Sequence, residues 1–121
     1  MPPRTPHIVL VEDDSYLTES RKAILETNGY SVEIVGTVRE ARQRCRTLRC
    51  DLVIVDAKEK HDTALELCEE IKLHNPKLCV ALMTGYYVYL HSECPDEVIR
   101  KDEGPQGFLA KVSDLLTPSI A

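Results

Sequence analysis

Asp-Leu-Val-Ile-Val-Asp at 51–56 is the stretch that decides the fold. Four apolar residues, three of them β-branched, lie unbroken between two aspartates. A strand with one wet face alternates; an unbroken run is covered on both faces, as in a parallel sheet. His7–Val11 and Leu78–Thr84 read the same way, and Ser31–Val35 is a fourth β-rich run. A weaker fifth strand is placed at Gly107–Ala110.

Helical spacing fills the gaps. Leu17, Ile24 and Leu25 fall on one face behind Asp14 or Ser15 as a cap, with Gly29 closing the helix in the left-handed conformation. Val38, Ala41, Cys45 and Leu48 step by three and four behind the capping-box pair Thr37 and Glu40. Ala64, Leu67, Cys68 and Ile71 repeat this behind Thr63 and Glu66. Strand and helix alternate, which predicts right-handed crossovers and an α/β, doubly wound parallel sheet of five strands. Beyond Thr84 the pattern weakens. Tyr86, Tyr87 and Tyr89 form an aromatic segment, read as packing. Pro95–Lys101 reads as a short helix, 102–107 as a turn, and Val112 to Leu116 as a brief last helix limited by Pro118.

The bulk numbers exclude several classes. A length of 121 residues supports one core. A net charge of −5 argues against general nucleic-acid affinity, which needs a basic face. No apolar run is long enough for a membrane span, and Met1 to Pro6 lacks the apolar centre of a signal peptide. Residues 1–6 are expected to be a flexible arm, 7–117 the domain and 118–121 a tail, in the cytoplasm. Five cysteines, an odd number without a Cys-x-x-Cys pair, suit reduced packing thiols. His7, His61, His74 and His91 are scattered and show no ligand spacing.

In such a sheet, sites form beyond the carboxyl ends of the strands. Those ends carry Glu12, Asp13 and Asp14, then Asp56, then Thr84, and on this reading Lys111. Clustered carboxylates repel one another unless a cation intervenes, and Mg²⁺ is the hard dication that oxygen ligands suit. An aspartate can then act as nucleophile toward phosphorus, with an ammonium and a hydroxyl on the phosphoryl oxygens.

From His7 to about Leu116 the chain resembles the response-regulator receiver family. His-Ile-Val-Leu-Val-Glu-Asp-Asp at 7–14 resembles its first strand and acidic pair. Asp51 to Asp56 resembles its phosphoacceptor strand, Ala-Leu-Met-Thr-Gly at 81–85 its switch-hydroxyl strand, and Gly-Phe-Leu-Ala-Lys at 107–111 its lysine segment. The resemblance implies a flavodoxin-like (βα)5 three-layer sandwich. It implies Mg²⁺ on Glu12, Asp13, Asp56 and the Lys58 carbonyl, phosphorylation of Asp56, contacts from Thr84 and Lys111, and a switch aromatic at Phe108. It implies a sensor histidine kinase or phosphotransfer protein as donor, an effector protein or adjoining domain downstream, a possible homodimer, and no enzyme beyond its own phosphorylation and dephosphorylation. Three positions depart from the family pattern: Lys60 and Ala64 stand where Pro and Gly are usual, and Val112 follows the assigned lysine in place of Pro. With Val there, a cis bond would cost about 2.5–4 kcal/mol, so a trans bond is expected.

Those departures keep open a pseudo-receiver, a binding module independent of phosphorylation. A haloacid-dehalogenase-type enzyme would want a carboxylate two residues after the nucleophile, where Lys58 stands. A flavodoxin-like cofactor carrier would want a Gly/Ser/Thr phosphate loop after Val11, where acids stand instead.

Overall fold

The computed structural model describes residues 4–57, 61–85 and 94–117. Five strands form one sheet in the order β2-β1-β3-β4-β5. They are β1 His7–Val11, β2 Ser31–Val35, β3 Leu52–Ala57, β4 Cys79–Thr84 and β5 Glu97–Arg100. Every pairing is parallel. The described helices are α1 Ser15–Thr27, α2 Val38–Arg44, α3 His61–His74 and α4 Gly104–Leu116.

The central strands are buried on both faces, as their unbroken apolar runs require. Val9, Val11, Val53, Val55, Val80 and Leu82 meet Ala41, Leu67, Cys68 and Ile71 of α2 and α3. Ile8, Leu10, Leu52, Ile54, Ala81 and Ile99 meet Leu25 of α1 and Phe108 and Val112 of α4. Two helical layers therefore sandwich the sheet.

Local chemistry sets the ends of α1. The Asp14 carboxylate accepts from the Tyr16 and Leu17 amides at 3.0 and 3.1 Å. At the other end Gly29 has φ +92°. The Gly29 amide donates to the Glu26 carbonyl and the Tyr30 amide to the Leu25 carbonyl, which closes the helix in a Schellman turn. Thr37 caps α2 through the Glu40 amide at 3.0 Å. Thr63, expected as a cap, lies inside α3, which begins two residues earlier.

The last quarter differs from the sequence reading. The fifth strand is Glu97–Arg100, within the stretch read as a helix. Gly107–Ala110 is helical, and the last helix is not brief: it runs thirteen residues from Gly104. Pro105 sits in its first turn, where a missing amide costs nothing. Phe108 and Val112 are four residues apart and face the sheet together, a helical and not a strand spacing. The Lys111–Val112 bond is in mid-helix, and the described residues contain no cis bond there. Near the start, the Pro6 carbonyl accepts from the Ser31 amide and the Arg4 guanidinium pairs with Asp51, so the end of the supposed arm is tied to the sheet. Among the described residues, no helix is long and apolar enough to cross a membrane.

Candidate functional site

Strand register brings the polar ends together. Val11 pairs with Val55, so the next residues, Glu12 and Asp56, stand level on adjacent strands. Thr84 is level with Ala57 on one side and Arg100 on the other, and Lys101 follows directly. All of these lie at the carboxyl edge of the sheet, where the strand order reverses around β1 and β3.

Asp56 is the centre of the cluster. Its side chain is only 3% exposed, and both oxygens are engaged. Oδ1 accepts from Lys101 Nζ at 2.9 Å and Oδ2 from Arg21 Nη1 at 2.7 Å. The same Nη1 donates to Glu12 Oε2 at 2.9 Å. The other Glu12 oxygen accepts from the Asp14 amide at 3.0 Å. Asp13 is exposed beside them, and Thr84 is fully buried at the end of β4.

The two carboxyls respond in opposite directions. Burial, then the hydrogen bond shared with Asp56, holds Glu12 above its ordinary pKa. Burial also pushes Asp56 upward. The hydrogen bonds from Glu12 and Lys101, with the charges of Lys101 and Arg21, outweigh it and hold Asp56 below its ordinary value. Of the two, Asp56 is therefore the more readily ionised.

Glu12, Asp56 and Thr84 converge at this edge as the sequence reading expected. Lys111 does not. It lies seven residues into α4, about 10 Å back along the helix from Gly104. Its ammonium donates to the Val98 carbonyl at 2.8 Å and Glu103 Oε1 at 2.7 Å. Lys101 takes the place at Asp56 that had been assigned to Lys111. Phe108, expected as a switch aromatic, is 3% exposed and packed in the core between α4 and the sheet. The Lys58 carbonyl and the Tyr86, Tyr87 and Tyr89 segment lie outside the described residues.

Sequence reasoning missed Arg21 and Lys101. The inward stripe of α1 is Thr18, Arg21 and Leu25, spaced three and four, with Leu17 more than a third exposed. The all-apolar stripe sought in the sequence hid an arginine about two turns beyond the acidic pair. The signal for Lys101 was the β-branched pair Val98-Ile99 just before it, masked by charges at both ends of a four-residue strand.

Comparison with known proteins bears directly on this arrangement. The family described as response regulator receiver domain matches residues 8–116. The chain belongs to that family. This receiver is 30% identical over 104 residues to the response regulator MprA of Mycolicibacterium vanbaalenii, covering 86% of this chain and 43% of that protein. It is 30% identical over 108 residues to the transcriptional regulatory protein GlrR of Escherichia coli K12, covering 89% of this chain and 23% of that one. The receiver thus spans less than half the length of these curated relatives. Among solved structures, the response regulator TrrA of Thermotoga maritima, in complex with Mg(2+)-BeF, superposes with a TM-score of 0.82 at 28% identity, covering 93% of this chain and all of that one. A CheY-like receiver domain protein from Methanospirillum hungatei gives 0.80 at 28% identity over 93% and 94%. The receiver is a phosphoacceptor module of two-component signalling rather than an enzyme.

Proposed function

We propose that this receiver accepts a phosphoryl group on Asp56 from the phosphohistidine of a sensor histidine kinase or phosphotransfer protein. One observation carries the reading: a buried aspartate at the carboxyl end of β3, held by the ammonium of Lys101 at 2.9 Å. An Asp56 oxygen attacks phosphorus, the donor's P–N bond breaks, and the imidazole leaves, taking up a proton from solvent. Lys101 stays on the phosphoryl oxygens as their charge develops, and the Thr84 hydroxyl is the second group at that edge.

The donor set fits a hard cation in its chemistry. Oxygens of Glu12 and Asp56 already converge on one cationic nitrogen. Among the described residues, no group of three His, Cys, Asp or Glu side chains assembles as a metal site. Glu12 and Asp56 would hold Mg²⁺ with Asp13 beside them and water completing the shell. Bound there, Mg²⁺ would neutralise charge on the phosphoryl oxygens. A phosphorylated Asp56 would draw on Lys101 and Thr84 and bias the surface seen by an effector protein, an adjoining domain or a second copy.

Intact-mass analysis after acetyl phosphate and Mg²⁺ tests this, beside Asp56→Asn. One added phosphoryl group in the native chain and none in the variant is the expected result. No adduct on a folded native chain overturns it. That outcome favours a pseudo-receiver that binds its partner without phosphorylation, a reading supported by the ion pairs that occupy both Asp56 oxygens.

A further inference from the structure

The arginine in the acidic pocket calls for its own explanation. Arg21 is 12% exposed and bridges two carboxylates that are almost fully buried. Glu12 and Asp56 carry two negative charges when both are ionised; Arg21 and Lys101 carry two positive ones. The pocket is therefore balanced by side chains alone. The guanidinium nitrogen stands at the point where Glu12 Oε2 and Asp56 Oδ2 converge, 2.9 and 2.7 Å away. A divalent cation shared by the same two oxygens would need that point, and two cations would not tolerate each other there.

We propose that Arg21 is a built-in counter-cation that competes with Mg²⁺ for Glu12 and Asp56, so that metal binding requires the guanidinium to withdraw. The inference rests on the reading of this pocket as a Mg²⁺ site. The α1 geometry supports it. Arg21 lies on the sheet-facing stripe between Thr18 and Leu25, so its long side chain reaches the site from a fixed helix. Arginine has the rotamers to leave without moving the backbone. Metal affinity is then scaled by the fraction of molecules in which Arg21 has already left. Linkage makes the effect mutual: each Mg²⁺ bound expels Arg21, and each Arg21 seated weakens Mg²⁺. The same movement frees Glu12 Oε2 and Asp56 Oδ2 for the metal, so metal entry and loss of both Arg21 ion pairs become one event.

The test is Mg²⁺ binding to the full chain by calorimetry, without any phosphodonor, in the native protein, Arg21→Met and Arg21→Lys. Far-UV circular dichroism checks that each variant is folded. Arg21→Met keeps the apolar stem and removes the charge. It is expected to bind Mg²⁺ at least about tenfold more tightly, which corresponds to a guanidinium withdrawn in about a tenth of native molecules or fewer. Its metal-free melting temperature is expected to fall, and Mg²⁺ to restore it. Arg21→Lys, with a cation retained, is expected to stay within about threefold of native affinity. In the native protein, the Arg21 side-chain Nε–H resonance should shift as Mg²⁺ is added. Equal, measurable affinity in the native protein and Arg21→Met overturns the competition and leaves the Mg²⁺ site standing. Absence of binding in both overturns the competition and the Mg²⁺ reading together.

Discussion

Lys101 and Lys111 stand ten residues apart with nearly equal side-chain exposure, 29% and 30%, yet they belong to different parts of the molecule. Lys101 leaves the carboxyl end of β5 and reaches Asp56. Lys111 sits two turns along α4 and ties that helix back to Val98 and Glu103. The helix starts at the functional edge and runs away from it, so each turn carries its side chains farther from the carboxylates. A lysine's flanking residues say less about its role than its distance from the end of a strand.

Substitutions in these elements put that contrast to the test. The largest effect is expected from Phe108→Ala. If α4 is a structural clamp, removing this buried ring should cost about 3–5 kcal/mol in urea unfolding. A loss below about 1 kcal/mol would instead describe a surface aromatic free to switch. The two lysines should separate next. Lys101→Ala is expected to slow phosphorylation by acetyl phosphate roughly 10²-fold or more, as loss of a preorganised charge on a developing oxyanion does. Lys111→Ala should leave that rate nearly unchanged and lower stability by about 1 kcal/mol, the scale of a half-exposed ion pair and hydrogen bond. Equal slowing by the two variants would erase the distinction.

The smallest effect lies at the opposite end of the sheet, where charges are paired in the open. A hydrogen bond from Arg44 holds the Glu33 carboxyl below its ordinary 4.5, with His7 adding to it against the cost of burial. The sign follows from linkage. A depressed carboxyl contributes stability above its unfolded pKa and loses it as pH falls through the lower folded value. Native protein and Glu33→Gln should therefore differ by a fraction of a kcal/mol near neutrality and converge as pH falls through the lowered folded value. Urea midpoints across that range measure it. A gap that widens in acid would contradict the assignment. The thiols follow the same rule of surroundings: burial pushes Cys50 up to about 11 and raises Cys68 further, as packing residues and not nucleophiles.

Legibility of the molecule tracked how local each signal was. β1 and β2 were read to the residue, and β3 and β4 to within one, because β-rich runs bounded by acids or Gly carry their own limits. β5 was not legible. It is an edge strand of four residues, charged at both ends, with one fully buried side chain, Ile99. Its strand character comes from pairing with β4 and not from its composition. Thirteen residues with Phe108 and Val112 four apart were misread as a strand and a stub because Gly-Phe-Leu-Ala-Lys imitates a strand end followed by lysine.

The alternation of strands and helices, the doubly wound sheet, and the gathering of Glu12, Asp56 and Thr84 at one edge were all legible in the amino-acid order. Those depend on periodicity and on parallel register, which are properties of short segments. Which lysine meets Asp56, and that Arg21 shares it with Glu12, came from packing in three dimensions. Long cationic side chains go wherever charge and burial leave the lowest free energy, and that place is defined by residues 35 and 45 positions away in the chain.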